Sequence, residues 1–277
     1  MTISISTNIA SLNAQRYLSQ HNKIIANTFM RLASGLRINS ARDDAAGLTI
    51  TTRLTAQIRG INQAQRNANN TLSLLQVADG ALEETTSALQ RMRELSVQAA
   101  NDTYSSADRS TLQQEFSHLA TEIQRIATQT HFNRMNLLTG SFDNKSFQIG
   151  AFIGQTIRFS IGSASNRALG LIGGQTLDIS TYGVQSLAIF TLDNALASIS
   201  DIRSSMGAMQ NRFLSVISNL TNVSENLVAA HSRIMDADIA EESARLIRHS
   251  ILQRVNLAVL AQANQHPQLA LQLLNFS

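Results

Sequence analysis

Apolar residues recur every seven positions along the first third of the chain. The row consists of Leu54, Ile61, Ala68, Leu75, Leu82 and Leu89. A seven-residue repeat keeps one apolar stripe against a partner helix in a left-handed coiled coil. No proline interrupts the row, and Gly60 and Gly80 are its weakest positions for helix formation. The pattern predicts one long helix from about Asp44 to Asn101, which is too long for a compact domain of this size.

Matching rows lie near the other end of the chain. One comprises Met206, Phe213, Leu220, Leu227 and Ile234, and another, offset by three residues, runs from Val216 in steps of seven through Ala244 and Ile251 to Ala258. Together they predict one continuous helix from about Met206 to Asn264. Two long seams from opposite ends of a sequence most simply pack against each other. We therefore expect a mainly α fold, an elongated antiparallel helical rod whose helix-pair core is formed by Leu54, Ile61, Leu75, Leu82, Leu89, Phe213, Leu220, Leu227 and Ile234.

The two terminal segments, residues 1–41 and 236–277, are weakly amphipathic and rich in Gln, Asn and Ala. Each has too little apolar surface to fold alone, so we expect both segments to order on assembly. Gly35 and the polar stretch that follows it break the first segment's pattern. Asp43 or Asp44 is then positioned to cap the long helix.

The middle of the chain changes character. A helical stripe from Leu112 to Ile126 extends to about Thr130. Glycines then cluster in residues 140–183, where the alternating runs 146–149 and 156–161 predict a β-hairpin. A further helix is expected from Val184 to about Ser204. The non-helical stretch is too short for an inserted domain with its own core.

The composition and charge of the chain argue against two classes of partner, nucleic acids and membranes. Charged residues make up 15% of the chain, against about 25% in typical globular proteins, and the deficit is filled by small and amide side chains that suit contacts between subunits. The formal net charge is +3, but the basic residues are scattered among acids. Nucleic-acid binding needs a concentrated basic stripe, so we expect no nucleic-acid partner. No apolar run approaches the roughly 18 residues of a membrane span, and we expect no membrane insertion.

The composition also bears on location. The chain has no cysteine, so a disulfide framework is excluded and the redox compartment is unconstrained. The N-terminus lacks a basic region followed by an apolar one, so we expect no cleavable secretory signal. If the protein leaves the cell, another export route is implied.

The chain shows no pattern typical of an enzyme. Its six histidines are scattered without the spacing of a zinc protease helix, and no nucleophile elbow, P-loop or dinucleotide fingerprint occurs. The paired acids Asp43 and Asp44 are better explained as helix caps. We therefore expect no catalytic residue, metal site or cofactor.

Several long motifs resemble one family. Residues 31–48, RLASGLRINSARDDAAGL, and 89–101, LQRMRELSVQAAN, are similar to the N-terminal signature of bacterial flagellins. QNRF at 210–213, SRIMDAD at 232–238 and LAQANQ at 260–265 are similar to the C-terminal signature. The resemblance covers roughly residues 1–139 and 184–274, with the motifs in the right order.

The resemblance implies a subunit of the flagellar filament, used for swimming. It implies a D0 domain formed by residues 1–41 and 236–277, and a D1 domain formed by residues 42–235 with its β-hairpin region at 140–183; the variable outer domains are missing. Self-assembly is the main partnership it implies, with the filament cap, hook-associated proteins and an export chaperone as further partners. The family's unfolded subunits leave the cell through the flagellar type III channel to an extracellular location.

The resemblance also implies an interface. Arg91, Leu95 and Glu115 match positions through which the flagellin-sensing Toll-like receptor binds this family, on a surface that also packs between subunits. The neighbouring candidates are Gln90, Arg93, Glu94 and Gln98. We interpret subunit contact as their main role. Two alternatives remain open: a flagellin-like surface protein that binds polysaccharide, and a hook–filament junction protein.

Overall fold

The computed structural model describes residues 7–171, 177–181 and 183–274, with side chains described up to Gln265. It contains five helices: α1 Ile9–Ser34, α2 Ala45–Ala99, α3 Ser106–Gln129, α4 Gln185–Met235 and α5 Ile239–Leu274. Four short strands form two antiparallel pairs: β1 His131–Phe132 with β2 Met135–Asn136, and β3 Lys145–Gln148 with β4 Thr156–Phe159. The predicted mainly helical class with a β-hairpin is confirmed, whereas the pair β1–β2 was not predicted.

The start of each N-terminal helix follows local capping chemistry. The side chain of Asn8 accepts a hydrogen bond from the Ser11 amide, and Gly35 ends α1 in the left-handed region at φ 71°, where glycine is favoured. Asp44 accepts from the Gly47 amide at 2.8 Å and so caps α2. Asp43 instead accepts from the amides of Asn39 and Ser40 and shapes the preceding turn.

The prediction of one continuous helix from Met206 to Asn264 is wrong, as is a separate helix ending near Ser204. Helix α4 runs unbroken from Gln185 to Met235, and the chain then leaves helical geometry before α5. The backbone amide of Ala237 donates to the Gly35 carbonyl, and the amide of Arg37 donates to the Met235 carbonyl. Asp238 accepts from the amides of Ala240 and Glu241, which starts a new helix.

The break also shows that the predicted heptad row from Val216 to Ala258 does not continue into α5. Ala244, Ile251 and Ala258 were predicted to face the seam, but all three are exposed in α5. Glu242, His249 and Gln253 of α5 instead make side-chain contacts with α1. The heptad phase of α4 therefore does not continue across residues 236–238.

The chain divides into two compact units. One, called unit 1 below, comprises Met1–Ala56 with Asn226–Ser277, and the other, unit 2, comprises Gln57–Glu225. These divisions fall at different positions from the boundaries after residues 41 and 235 that the motifs indicated.

Unit 2 is built on a continuous hydrophobic core. Five residues of the predicted helix-pair core, Ile61, Leu75, Leu82, Leu89 and Phe213, are buried there, and Leu220 is 8% exposed. The β-hairpin closes this core, with Phe147 paired opposite Ile157. The rings of Phe147 and Phe159 stack at 5.0 Å, and both lie edge-on to Phe213 of α4.

Unit 1 has a thinner apolar interior. The remaining predicted core residues, Leu54, Leu227 and Ile234, belong to this unit and are only half-buried. Among the described side chains of this unit, Ile38, at 1% exposure, is the best-buried large apolar one.

Candidate interaction surfaces

The predicted interface residues of unit 2 lie on and beside the face shared by α2 and α3. Arg91 Nε donates to Glu115 Oε1 at 2.8 Å, and its Nη1 donates to Glu94 Oε2 at 3.1 Å. We call these three residues the Arg91 cluster. All three are exposed. The hydrogen bonds to Glu115 and then to Glu94 raise the pKa of Arg91 above its usual value, so this guanidinium stays charged.

The other predicted interface residues are less uniform. Gln90 is exposed, whereas Gln98 is half-buried and donates to the Tyr104 hydroxyl at 2.9 Å. Arg93 pairs with Asp193 of α4 at 2.6 Å, which raises the pKa of Arg93. It therefore joins α2 to α4 rather than to α3.

Leu95 requires a correction. Its side chain is 0% exposed and belongs to the hydrophobic core of unit 2. Because a fully buried side chain cannot touch a partner on the surface, Leu95 acts in the core packing of unit 2.

In unit 1, α1 and α5 pair through polar contacts. Asn8 Nδ2 donates to the Ala263 carbonyl at 2.7 Å, and Gln253 donates to Asn22 at 2.8 Å. His21 Nδ1 lies 3.0 Å from His249 Nδ1. Ser11 and Thr28 are among the few buried residues of α1. We call this line of contacts the polar seam. It could not be predicted from the heptad pattern, because that pattern reports only the spacing of apolar residues.

The polar seam ends at a charged cavity. Arg31 Nη1 donates to Glu242 Oε1 at 3.0 Å, and Arg245 lies 3.6 Å from the same oxygen. Glu242 is 6% exposed. The cavity has a volume of about 560 Å³ and is also lined by Asp43, Asp236 and Arg233. Desolvation of the Glu242 carboxylate is offset mainly by Arg31, so this ion pair ties the end of α1 to the start of α5.

Many large apolar side chains on α1 and α5 are exposed, interspersed with polar ones. Among the described side chains of these helices, the exposed large apolar ones are Ile9, Leu12, Tyr17, Phe29, Met30, Ile239, Ile247, Ile251, Leu252, Val255, Leu257 and Val259. We call them the outer apolar face. Phe29 is 65% exposed and Ile247 is 62% exposed. A run of this kind marks an interaction surface rather than the scattered apolar residues of an ordinary surface.

Two further observations concern the described residues. Within them, no set of three or more His, Cys, Asp and Glu side chains lies in an arrangement that could hold a metal ion. None of the helices, in the portion that the structure describes, has a stretch apolar and long enough to span a bilayer.

Comparisons with known proteins agree with this arrangement. The family model described as bacterial flagellin N-terminal helical region matches residues 5–143, and the one described as bacterial flagellin C-terminal helical region matches residues 189–274. The chain is 42% identical to the flagellar filament 30.7 kDa core protein of Treponema maltophilum and 44% identical to the flagellin of Halalkalibacterium halodurans. Each alignment covers 98% of this chain and 99% of the relative.

Solved structures give a consistent result. The crystal structure of Bacillus cereus flagellin matches with a TM-score of 0.50 and 30% identity, covering 60% of this chain and 94% of that one. A putative flagellar hook-associated protein from Vibrio parahaemolyticus matches with a TM-score of 0.61 over 70% of this chain and 100% of that one. Its identity is 14%, so this likeness shows the fold alone.

The family matches identify a structural protein that polymerises with copies of itself. The chain belongs to the bacterial flagellin family. It is a structural subunit of the flagellar filament, an extracellular appendage. Its 277 residues fit a flagellin without variable outer domains.

Proposed function

We propose that this flagellin polymerises by burying the outer apolar face of α1 and α5 against neighbouring copies, and that the resulting filament serves swimming. The observation that carries the proposal is the exposure of large apolar side chains on both helices of unit 1. Phe29, Ile247 and Ile251 are each more than half exposed. Covering such side chains with another surface removes their apolar area from water, which stabilises the assembly.

The free energy of burying these apolar side chains favours assembly through the outer apolar face. Full burial of one large apolar side chain contributes roughly 1.5–3 kcal/mol. The cost of immobilising a subunit is about 4–15 kcal/mol, so several such side chains are needed to overcome it. The outer apolar face supplies them on both helices.

We further propose that residues 1–41 and 236–277 correspond to the family's D0 domain, and 42–235 to D1 with its hairpin region at 140–183. The pairing of α1 with α5 supports the first assignment. The common core of α2, α3, α4 and the hairpin supports the second. The compact units divide at 56/57 and 225/226, so the first residues of α2 pack with D0 in this chain.

The Arg91 cluster is proposed as a contact between subunits in the filament, and as a surface on which the host's flagellin-sensing Toll-like receptor binds the free subunit. Its charge and exposure support this. Gln90 lies beside it and remains a candidate contact, while Arg93 and Gln98 are occupied within the subunit. Leu95 packs in the hydrophobic core of unit 2 and is not part of this exposed surface.

Family membership supports the remaining partners. We propose export of the unfolded chain through the flagellar type III channel with a chaperone, and contacts with the filament cap and the hook-associated proteins. A chain without cysteine suits this route because no disulfide has to form after export. We propose that it has no catalytic activity and needs no cofactor.

A matched pair of variants tests the polymerisation proposal. Ile251→Asp places a charge among the exposed apolar side chains of α5, and Ile251→Leu keeps an apolar side chain at the same position. Seeded polymerisation, followed by pelleting and electron microscopy, should fall at least about tenfold for Ile251→Asp and much less for Ile251→Leu. Equal filament yield from Ile251→Asp and the parent chain would refute the proposal, provided that circular dichroism shows both folded.

A further inference from the structure

The turn of the β-hairpin presents two apolar side chains that its own subunit leaves uncovered. Ile153 is fully exposed, and Phe152 is 56% exposed. Gln148 Nε2 donates to the carbonyls of Gly150 and Phe152 at 2.8 and 2.7 Å. On the other side of the turn, Gln155 Oε1 accepts from the Phe152 amide at 3.1 Å. These bonds satisfy the backbone of the turn from within and fix its shape. We call Phe152 and Ile153 the hairpin knob.

The same turn is also fixed against α2. Asn67 Nδ2 of that helix donates to the Gln148 carbonyl at 3.2 Å. A cavity of about 380 Å³ lies between the turn and α2, and its lining includes Gly60, Ala64 and the hairpin knob. None of the described residues that line it is charged. A rigid and uncharged knob of this kind suits an apolar partner surface.

Two ion pairs join α2 to α4 in unit 2 and show that these helices are antiparallel. Arg93 of α2 pairs with Asp193 of α4 at 2.6 Å. Asp79 of α2 pairs with Arg203 of α4 at 2.9 Å. Residue numbers therefore fall along α4 as they rise along α2.

A second uncovered apolar area lies where α2 ends and α4 begins. About one turn beyond the ion pair of Arg93 and Asp193, in the same direction, are Val97 on α2 and Phe190 on α4. Leu187 follows one turn further along α4. All three apolar side chains are at least half exposed, and we call them the Phe190 patch. The charges at its border neutralise each other within the subunit, so the patch offers apolar surface without an unpaired charge.

The hairpin knob cannot cover the Phe190 patch of its own subunit. The knob lies beside Gly60 of α2, whereas the patch includes Val97 of the same helix. With a rise of about 1.5 Å per residue, these two positions are roughly 55 Å apart. Only another molecule can therefore bring a knob to a patch.

We propose that the hairpin knob of one copy docks on the Phe190 patch of a second copy in the filament. This inference rests on the proposed polymerisation, because it needs copies that are held side by side. Two apolar surfaces without unpaired charge are stabilised when both leave water. Since the knob and the patch are different sites, each copy gives its knob to one neighbour and its patch to another. Such a head-to-tail contact extends into an open filament unless the rotation between copies closes a ring.

Disulfide trapping in filaments tests the contact. The chain has no cysteine of its own, so Ile153→Cys with Val97→Cys introduces one thiol at the knob and one in the patch. A disulfide forms only when the two Cα atoms come within about 7 Å of each other. Filaments of this variant, oxidised and then dissolved in detergent without reductant, should give a ladder of covalent oligomers, because each copy is joined to two neighbours. Either single variant should remain monomeric.

The matched control combines Ile153→Cys with Ser204→Cys. Ser204 is exposed on α4 and lies roughly 20 Å along that helix from Phe190, so this pair should give no ladder. Filaments of the first pair without a ladder, or an equal ladder from the control, would overturn the docking contact and leave polymerisation standing. A parent chain that forms no filaments on seeding would refute polymerisation, and the docking contact with it.

A charge placed on the hairpin knob gives an independent measure. Ile153 is fully exposed in its own subunit, so Ile153→Asp should leave the melting temperature of the free chain unchanged. The same substitution should raise the subunit concentration needed for filament growth at least about tenfold, whereas Ile153→Leu should not. An unchanged concentration requirement for Ile153→Asp would contradict the proposal.

Discussion

Two glycines of α2 have opposite environments, although the sequence alone makes both look like weak points. A Cβ added at Gly60 would lie 2.9 Å from the Cβ of Ala151, in the turn of the β-hairpin. A Cβ at Gly80 would meet nothing within 4 Å. Gly60 is therefore required by close packing of the hairpin on the helix, and Gly80 is not.

Substitution by alanine should separate the two. Gly80→Ala should stabilise unit 2 by about 0.5–1 kcal/mol, because alanine loses less backbone entropy in a helix. Gly60→Ala should gain the same helix propensity but lose more through displacement of the hairpin. Denaturant unfolding of both variants measures the difference. A Gly60→Ala chain as stable as Gly80→Ala would show that the hairpin contact is loose.

Leu75 should be among the most sensitive core positions. It is 0% exposed, so Leu75→Ala should destabilise unit 2 by ~2–5 kcal/mol through the cavity it leaves. Leu227→Ala should cost less, since Leu227 is half-buried. Thermal unfolding of the two variants tests the order. Loss of stability in the reverse order would mean that the heptad row does not reflect core packing.

Polar contacts made by residues outside the heptad rows could not be predicted from the sequence. Gln124 lies off the apolar stripe of α3, yet its Oε1 accepts from the backbone amide of Asn166 at 3.1 Å. Asn166 is 2% exposed and donates to the Ala120 carbonyl at 2.6 Å. Hydrophobic periodicity does not report such bonds, because they depend on where a loop returns to the helix. The same holds for His21 and His249, which lie 228 positions apart.

Among the secondary-structure elements, α2, α3 and the β-hairpin could be predicted, because the spacing of apolar residues within each segment is enough to identify it. The break between α4 and α5 could not, because Asp236 and Asp238 fit a helical stripe as spacers. What ends α4 is its pairing with the backbone of residues 35–37, a contact between distant segments.

Helix α3 begins with a capping box whose strength should depend on pH. Ser105 and Asp108 exchange hydrogen bonds, and the bonds from Ser105 hold the pKa of Asp108 below its ordinary range. A lowered carboxyl pKa stabilises the fold above the unfolded-state value, about 3.9, and that contribution is lost as pH falls through the folded value. Asp108→Asn should therefore reduce stability at pH 6 and have little effect near pH 2, as measured by urea unfolding. An equal effect at both pH values would exclude the charged cap.

At the scale of the whole molecule, the two compact units should differ in their resistance to proteolysis. Unit 1 relies on the polar seam, so proteases should trim residues 1–41 and 236–277 faster in the free chain than in the filament. Unit 2 should survive as the resistant core. Limited proteolysis followed by mass spectrometry of the fragments gives the answer. Equal cleavage rates at the ends in both states would count against ordering on assembly.

The Arg91 cluster should serve both assembly and receptor binding. Arg91→Glu places a third acid beside Glu94 and Glu115, which should weaken filament formation and receptor signalling together. Arg125→Glu is the matched control, because Arg125 forms a similarly exposed ion pair, with Glu122, outside the Arg91 cluster. A reporter-cell assay and pelleting measure the two effects. Normal signalling from a variant that cannot assemble would separate the two surfaces.

The polar seam bears on the fidelity of the filament. Asn8, His21, Asn22 and Arg31 each meet one particular partner on α5. If α5 slipped by one heptad, small side chains would still pack and Asn8 would meet another backbone carbonyl, but the side-chain pairs of His21, Asn22 and Arg31 would be lost. Polar pairs of this kind specify alignment at some cost in strength, as a buried asparagine does in a coiled coil. The polar seam thus fixes the register of α5 on α1, so that every copy presents the outer apolar face to its neighbour in the same alignment.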